Sequence, residues 1–201
     1  MLCVSRNEME KADIQMNLPD KHYLYVLLVR YPDTYSKLFR VFTRCKYTHA
    51  SIGIGDTEGT FYSYVTKGFR KELPKKHPTF KKQEIPCRLY QLEVTKEIYD
   101  VAKLELQDHE KRAYNFKYNF LGVILCLMRL VWPRKNRYFC SQFVSEILTQ
   151  TEAVSIPKHS ALFLPDDFGE IEEFRLCFTG YLSKLVSRSN RVEISAPMAA
   201  V

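Results

Sequence analysis

Residues 22–30, HYLYVLLVR, form a continuous apolar run rich in β-formers, the pattern of a strand buried on both faces. YPDTYSKLFRVFTRCK, 31–46, opens on a turn signal and then places Leu38, Val41 and Phe42 at helical spacing, which predicts a short helix. THASIGIG, 48–55, alternates and ends in the turn-rich GDTEG; TFYSYVTKGF, 60–69, alternates again, so the two predict a β-hairpin. KELPKKHPTFKKQEIP, 71–86, carries two X-Pro breaks and a dense run of charge, and predicts an exposed loop. CRLYQLEV, 87–94, predicts another strand.

The second half is more helical. TKEIYDVAKLELQD, 95–108, has apolar residues at Ile98, Val101, Ala102 and Leu104–Leu106, with Thr95 as N-cap. FLGVILCLM, 120–128, ends at Arg129 and reads as a buried helix or a hydrophobic wall; spanning a bilayer takes about 20 apolar residues. NRYFCSQFVSEILTQT, 136–151, puts Phe143, Val144, Ile147 and Leu148 on one helical face, with Cys140 three and four positions ahead of it. ALFLPDDFGEI, 161–171, reads as a turn-rich loop and FRLCFTGYL, 174–182, as a last short strand. The pattern predicts a flexible arm over 1–20, a single domain over 21–182 and a frayed tail over 183–201, with no internal repeat.

Composition adds limits. At 201 residues, 46% hydrophobic and 26% charged, the chain has the balance of a globular domain able to bury its own core. Its six cysteines are scattered without a CxxC pair, which fits neither a disulfide framework nor a zinc site and points to a reducing compartment. No basic-then-apolar leader opens the chain, so a soluble cytoplasmic protein is the expectation. Much of the net charge of +7 is concentrated between Lys67 and Arg88, where only Glu72 and Glu84 oppose the cations. That stretch reads first as a solvated basic loop, and second as a weak contact for an anionic surface such as cell-wall polymer or phospholipid. No nucleic-acid motif accompanies it, so nucleic acid is not an expected partner.

The chemistry lies in two segments. A cysteine attacks as its thiolate, which is scarce at neutral pH unless a helix N-terminus or an adjacent imidazolium favours the anion. Cys140 opens an amphipathic helix and His49 lies in a strand, the two halves of a nucleophile–base pair. Backbone N–H groups of Cys140 and Ser141 are placed to receive an oxyanion. A third polar group should orient the imidazole, and the hairpin nominates Ser63, with Tyr62 and Tyr64 on the opposite face. The other thiols lie in apolar settings, at a strand start or near the chain ends.

With His49 ahead of Cys140, these motifs resemble the circularly permuted branch of the NlpC-type, papain-like cysteine peptidase superfamily, which includes YiiX-like and lecithin:retinol acyltransferase-like proteins. His49, Ile52 and Gly55 match the form H-x-G-I-x-x-G, with Ser51 in place of the usual Gly. Cys140, Ser141 and Val144 match the helix start that carries the nucleophile. The family's third polar residue, commonly His, Glu, Asn or Gln, falls at Ser63, whose hydroxyl can hold a tautomer but cannot stabilise imidazolium as a carboxylate would. The resemblance implies an α+β fold: a small antiparallel sheet or half-barrel carrying His49 and Ser63, packed against the Cys140 helix.

It also implies acyl transfer through a thioester. Hydrolysis of a peptide, amide or small acyl substrate by Cys140 and His49 is the first expectation, with no cofactor and no metal. Lipid acyl transfer at a membrane surface, with residues 120–127 lining an acyl groove, is the alternative. A third possibility is a binding module that keeps the fold without strong catalysis. Substrate identity and oligomeric state stay open.

Overall fold

The computed structural model describes residues 21–55, 59–73, 84–132 and 134–185. Strand β1 (His22–Val29) lies inside the sheet, flanked by β2 (His49–Ile54) and β5 (Pro86–Val94). Its alternate side chains enter different cores, which is why its sequence is apolar without alternation. Leu24, Val26 and Leu28 join the main core, while Leu27 and Val29 pack in a smaller one with Ile85, Cys87 and Leu182.

The six strands run in the order β4–β3–β2–β1–β5–β8, with every neighbouring pair antiparallel. Here β3 is Phe61–Val65, β4 is Gly68–Glu72 and β8 is Arg175–Tyr181. Two helices cover the main face: α2 (Lys96–Lys111), after α1 (Thr34–Thr43), and the helix that begins at Cys140. Between them α3 (Phe120–Leu127) is flanked by β6 (Lys117–Tyr118) and β7 (Arg137–Tyr138), which form a short parallel pair. The helix that follows, α4 (Cys140–Gln150), seats Phe143, Val144, Ile147 and Leu148 in the main core. Each such side chain contributes roughly 1.5–3 kcal/mol of burial. The fold class is α+β, as the resemblance implies.

Two expectations need correction. Residues 60–69 are not one strand: the chain turns at Thr66–Lys67, Gly68 takes φ +99°, and the return leg is β4. Only glycine adopts that backbone without strain. The predicted loop over 71–86 therefore loses Lys71 and Glu72 to a strand at one end and Pro86 to β5 at the other. The short helix predicted within 31–46 forms as α1, with Leu38, Val41 and Phe42 exposed and Ser36 buried. Val101 and Leu104 likewise lie on the outer side of α2, which is held through Ala102, Leu106 and His109.

The N-terminal arm, the GDTEG tip at 56–58, residues 74–83 and the tail from 186 lie outside the described residues. Tyr62 and Tyr64 enter the main core while Phe61 enters the smaller one, so the predicted facing of β3 holds.

Candidate active site

Cys140 is the first residue of α4, and Phe139 caps the helix with extended backbone and no side-chain hydrogen bond. The first helical bond runs from Phe143 N–H to the Phe139 carbonyl. The N–H groups of Cys140, Ser141 and Gln142 are left to point out of the helix end. Ser141 donates its hydroxyl to the Phe163 carbonyl at 2.6 Å, which fixes this first turn against the 160–170 segment.

That segment also holds the approach to His49. Asp166 accepts from the backbone N–H groups of Lys46 and Tyr47 at 2.5 and 2.9 Å, just before β2 begins. Phe163, which holds the Cys140 helix, and Asp166, which holds the approach to the His49 strand, belong to one stretch of chain, so the two motifs are pinned to a common support. Within β2, Gly53 lies so close to Phe61 that an added Cβ would come within 2.8 Å of its ring.

His49 and Cys140 meet in a buried site, each about 5% exposed. Their side chains are hydrogen-bonded, and Nε2 of His49 donates to Glu72 Oε1 at 2.8 Å, leaving Nδ1 for the thiol. Burial opposes charge on both groups. For the thiol, desolvation is the largest single influence and acts upward; the His49 hydrogen bond and charge, with N–H groups of Ala50 and Ser141, overcome it and bring Cys140 below its ordinary range. For His49, desolvation acts downward, but Glu72 and Cys140 raise it to about 10. Both shifts favour one arrangement: thiolate beside imidazolium, with Glu72 behind.

The remaining described thiols show the contrast. Burial raises Cys45, raises Cys126 to about 11 and raises Cys87 to about 12. Cys177 donates to Gln91 Oε1 at 3.1 Å, away from any imidazole. Among the described residues no two cysteines are joined by a disulfide. Among the described residues no group of three or more His, Cys, Asp or Glu side chains could hold a metal ion.

Ser63 is not the group at His49. It is fully buried, but its hydroxyl donates to the Ala50 carbonyl at 2.7 Å, so it braces the hairpin. Glu72 is the residue bonded to His49 Nε2, and the sequence pattern does not mark it because 71–86 reads as loop where β4 ends. The available signal was the Lys67–Gly68 dipeptide, a turn that sends the chain back beside β3 and ends on an acid. Tyr31 is a second residue that pattern alone did not mark. Its ring lies 5.5 Å from that of His49 at 51°, and burial with the nearby Glu72 and Cys140 charges holds its phenol firmly protonated.

No family model matches the chain, and no curated protein matches it either.

Proposed function

We propose that the protein is a cysteine hydrolase of permuted papain-like type, with Cys140 as nucleophile, His49 as proton carrier and Glu72 as the carboxylate that orients and charges the imidazole. The observation behind this reading is the buried Cys140–His49–Glu72 chain, in which thiol and imidazole shift in opposite directions against their own desolvation. A purely structural Cys–His contact gains nothing from a carboxylate on the far nitrogen. A nucleophile–base pair gains both tautomer and charge from it.

In the reaction, the Cys140 thiolate adds to the substrate carbonyl and the oxyanion is received by the open N–H groups at the start of α4. His49 passes its proton to the leaving nitrogen as the C–N bond breaks, leaving a thioester. Water then loses a proton to His49 while its oxygen attacks the acyl carbon, and the thiolate departs with the acid product. An amide or peptide is the substrate class we favour. With a carboxylate at Nε2, the argument for a binding module based on the weakness of Ser63 falls away.

The test is iodoacetamide labelling at pH 6, read by peptide mass spectrometry. Cys140 should be alkylated well ahead of Cys45, Cys87 and Cys126, and a Cys140→Ala variant should keep its circular dichroism while losing turnover. Equal labelling of all thiols, or surviving turnover, would sink the assignment.

A further inference from the structure

The outer faces of α1 and α3 carry an apolar surface that the catalytic reading leaves unused. Val41 is 74% exposed, Ile124 55%, Met128 62% and Trp132 60%. The two helices are neighbours: Phe39 of α1 packs on the Val123–Cys126–Phe139 cluster beneath α3. Phe139 is the residue that caps the nucleophile helix, so this surface lies directly behind the site.

Its charge is one-sided. From residue 111 to 145 the chain has seven Lys or Arg and no Asp or Glu, and from 34 to 55 it has four and none. Of the carboxylates that act on these or adjoining segments, Asp33 caps α1 by accepting from Ser36, Asp108 pairs with Arg112, Asp166 holds Lys46 and Tyr47, and Asp167 pairs with Lys158 at 2.6 Å.

Backbone geometry adds a second, independent observation. Arg44 and Arg129 both adopt left-handed backbone at the C-terminal ends of α1 and α3, with φ 59° and 58°. After α3 the Leu130 N–H bonds the Leu125 carbonyl and the Arg129 N–H bonds that of Cys126, a helix stop in which glycine is the least strained residue. Both stops carry a cation instead, whereas the matching stop after α4 carries Glu152, at φ 55°. A cation there also suits the helix dipole, so the pair gains weight from sitting on the two helices that expose the apolar faces.

We propose that this face docks on an anionic lipid bilayer. Exposed aromatic and aliphatic side chains on segments that carry Lys and Arg and no acid match an interface with acyl chains beneath and anionic headgroups around. A second copy of this chain fits poorly, because a two-fold contact would bring each set of cations against its own kind. A polyanion such as nucleic acid would satisfy the cations but leave the apolar side chains in water.

Trp132 is the only tryptophan in the chain and reports on the contact directly. Flotation with phosphatidylcholine vesicles containing about one third phosphatidylserine should carry the protein upward and shift Trp132 emission to the blue, whereas pure phosphatidylcholine should do neither at the same ionic strength. The Ile124→Ser/Met128→Ser double variant, which touches only exposed positions, should lose most of that binding. Arg44→Gly and Arg129→Gly should each weaken it about fivefold while leaving the melting temperature unchanged or higher, a pairing of signs that a purely structural role does not give. Cys140→Ala should bind as the parent does, so docking and catalysis fail separately. The proposal is overturned by no flotation with the anionic vesicles at low salt, by binding that the serine variant leaves intact, by a blue shift that appears with protein concentration alone, or by heparin binding in place of vesicle binding.

Discussion

His49 and His109 are both buried, at 5% and 7% exposure, yet their surroundings drive them in opposite directions. His49 sits between Glu72 and Cys140 and rises to about 10 despite desolvation. His109 sits among Tyr64, Phe69, Phe116, Tyr138 and Phe143, and desolvation alone lowers it to about 4. Its polar contact is with the Tyr64 hydroxyl, which lies 3.2 Å from Nδ1 and donates to the neutral ring. Burial therefore says nothing by itself about what a histidine does. The partner set decides, and a carboxylate on one nitrogen with a thiol on the other separates a reactive imidazole from a core one.

Removing the carboxylate should break this contrast most strongly. Glu72→Gln keeps a hydrogen-bond acceptor at Nε2 but removes the charge that holds His49 protonated, so the thiolate loses its counter-ion as well. Turnover should fall about a hundredfold or more. The pH at which Cys140 becomes half alkylated should move upward toward that of an ordinary thiol. A variant that labels with the parent's pH profile would show that Glu72 is an accident of packing.

The two histidines also leave different marks on stability against pH. His109 is ordinarily half protonated at 6.5 and is lowered to about 4, so the unfolded chain binds the extra proton between those values and stability is lost as pH falls through them. The Cys140–His49 pair behaves otherwise. His49 is raised, so its contribution is complete below 6.5 and is lost as pH rises through about 10; Cys140 is lowered, so its contribution is complete above 9.0 and is lost as pH falls through its folded value. His109→Phe should cost about 2 kcal/mol at pH 7, chiefly because the buried Tyr64 hydroxyl loses its acceptor. It should also flatten the decline between pH 6.5 and 4 without altering Cys140 labelling. Urea titrations across pH measure both; an unchanged acid slope would mean that His109 is not held neutral.

How far the site was readable follows from the same contrast. Cys140 and His49 lie in the two segments with the plainest periodicity, a helix with one apolar face and a glycine-containing strand, and local pattern was sufficient for both. Glu72 stands on a strand pairing whose local signal, the Lys67–Gly68 turn, is faint, because its neighbours Arg70 and Lys71 read as loop charge. Only the turn at Gly68 brings it back beside β3. Tyr31, and Asp166 with its grip on Lys46 and Tyr47, are contacts between segments far apart in the chain, and nothing in their surroundings marks them. The helix α1 was legible, but helical periodicity shows only that a face is apolar, not that it faces inward, and Leu38, Val41 and Phe42 are exposed.

The smallest effect separates the residue first expected at the third position from the one found there. Ser63 donates to the Ala50 carbonyl at 2.7 Å inside a fully buried stretch of β3. Ser63→Ala removes the donor and leaves that carbonyl's second lone pair unsatisfied, a loss of about 1 kcal/mol. Since Ala50 follows His49, a slight loosening of β2 is expected, seen as a lower urea midpoint with the same slope. Cys140 should keep its labelling at pH 6, because neither its partner nor the carboxylate behind that partner has changed. Should Ser63→Ala instead abolish labelling while Glu72→Gln preserves it, the roles assigned to the two residues would have to be exchanged.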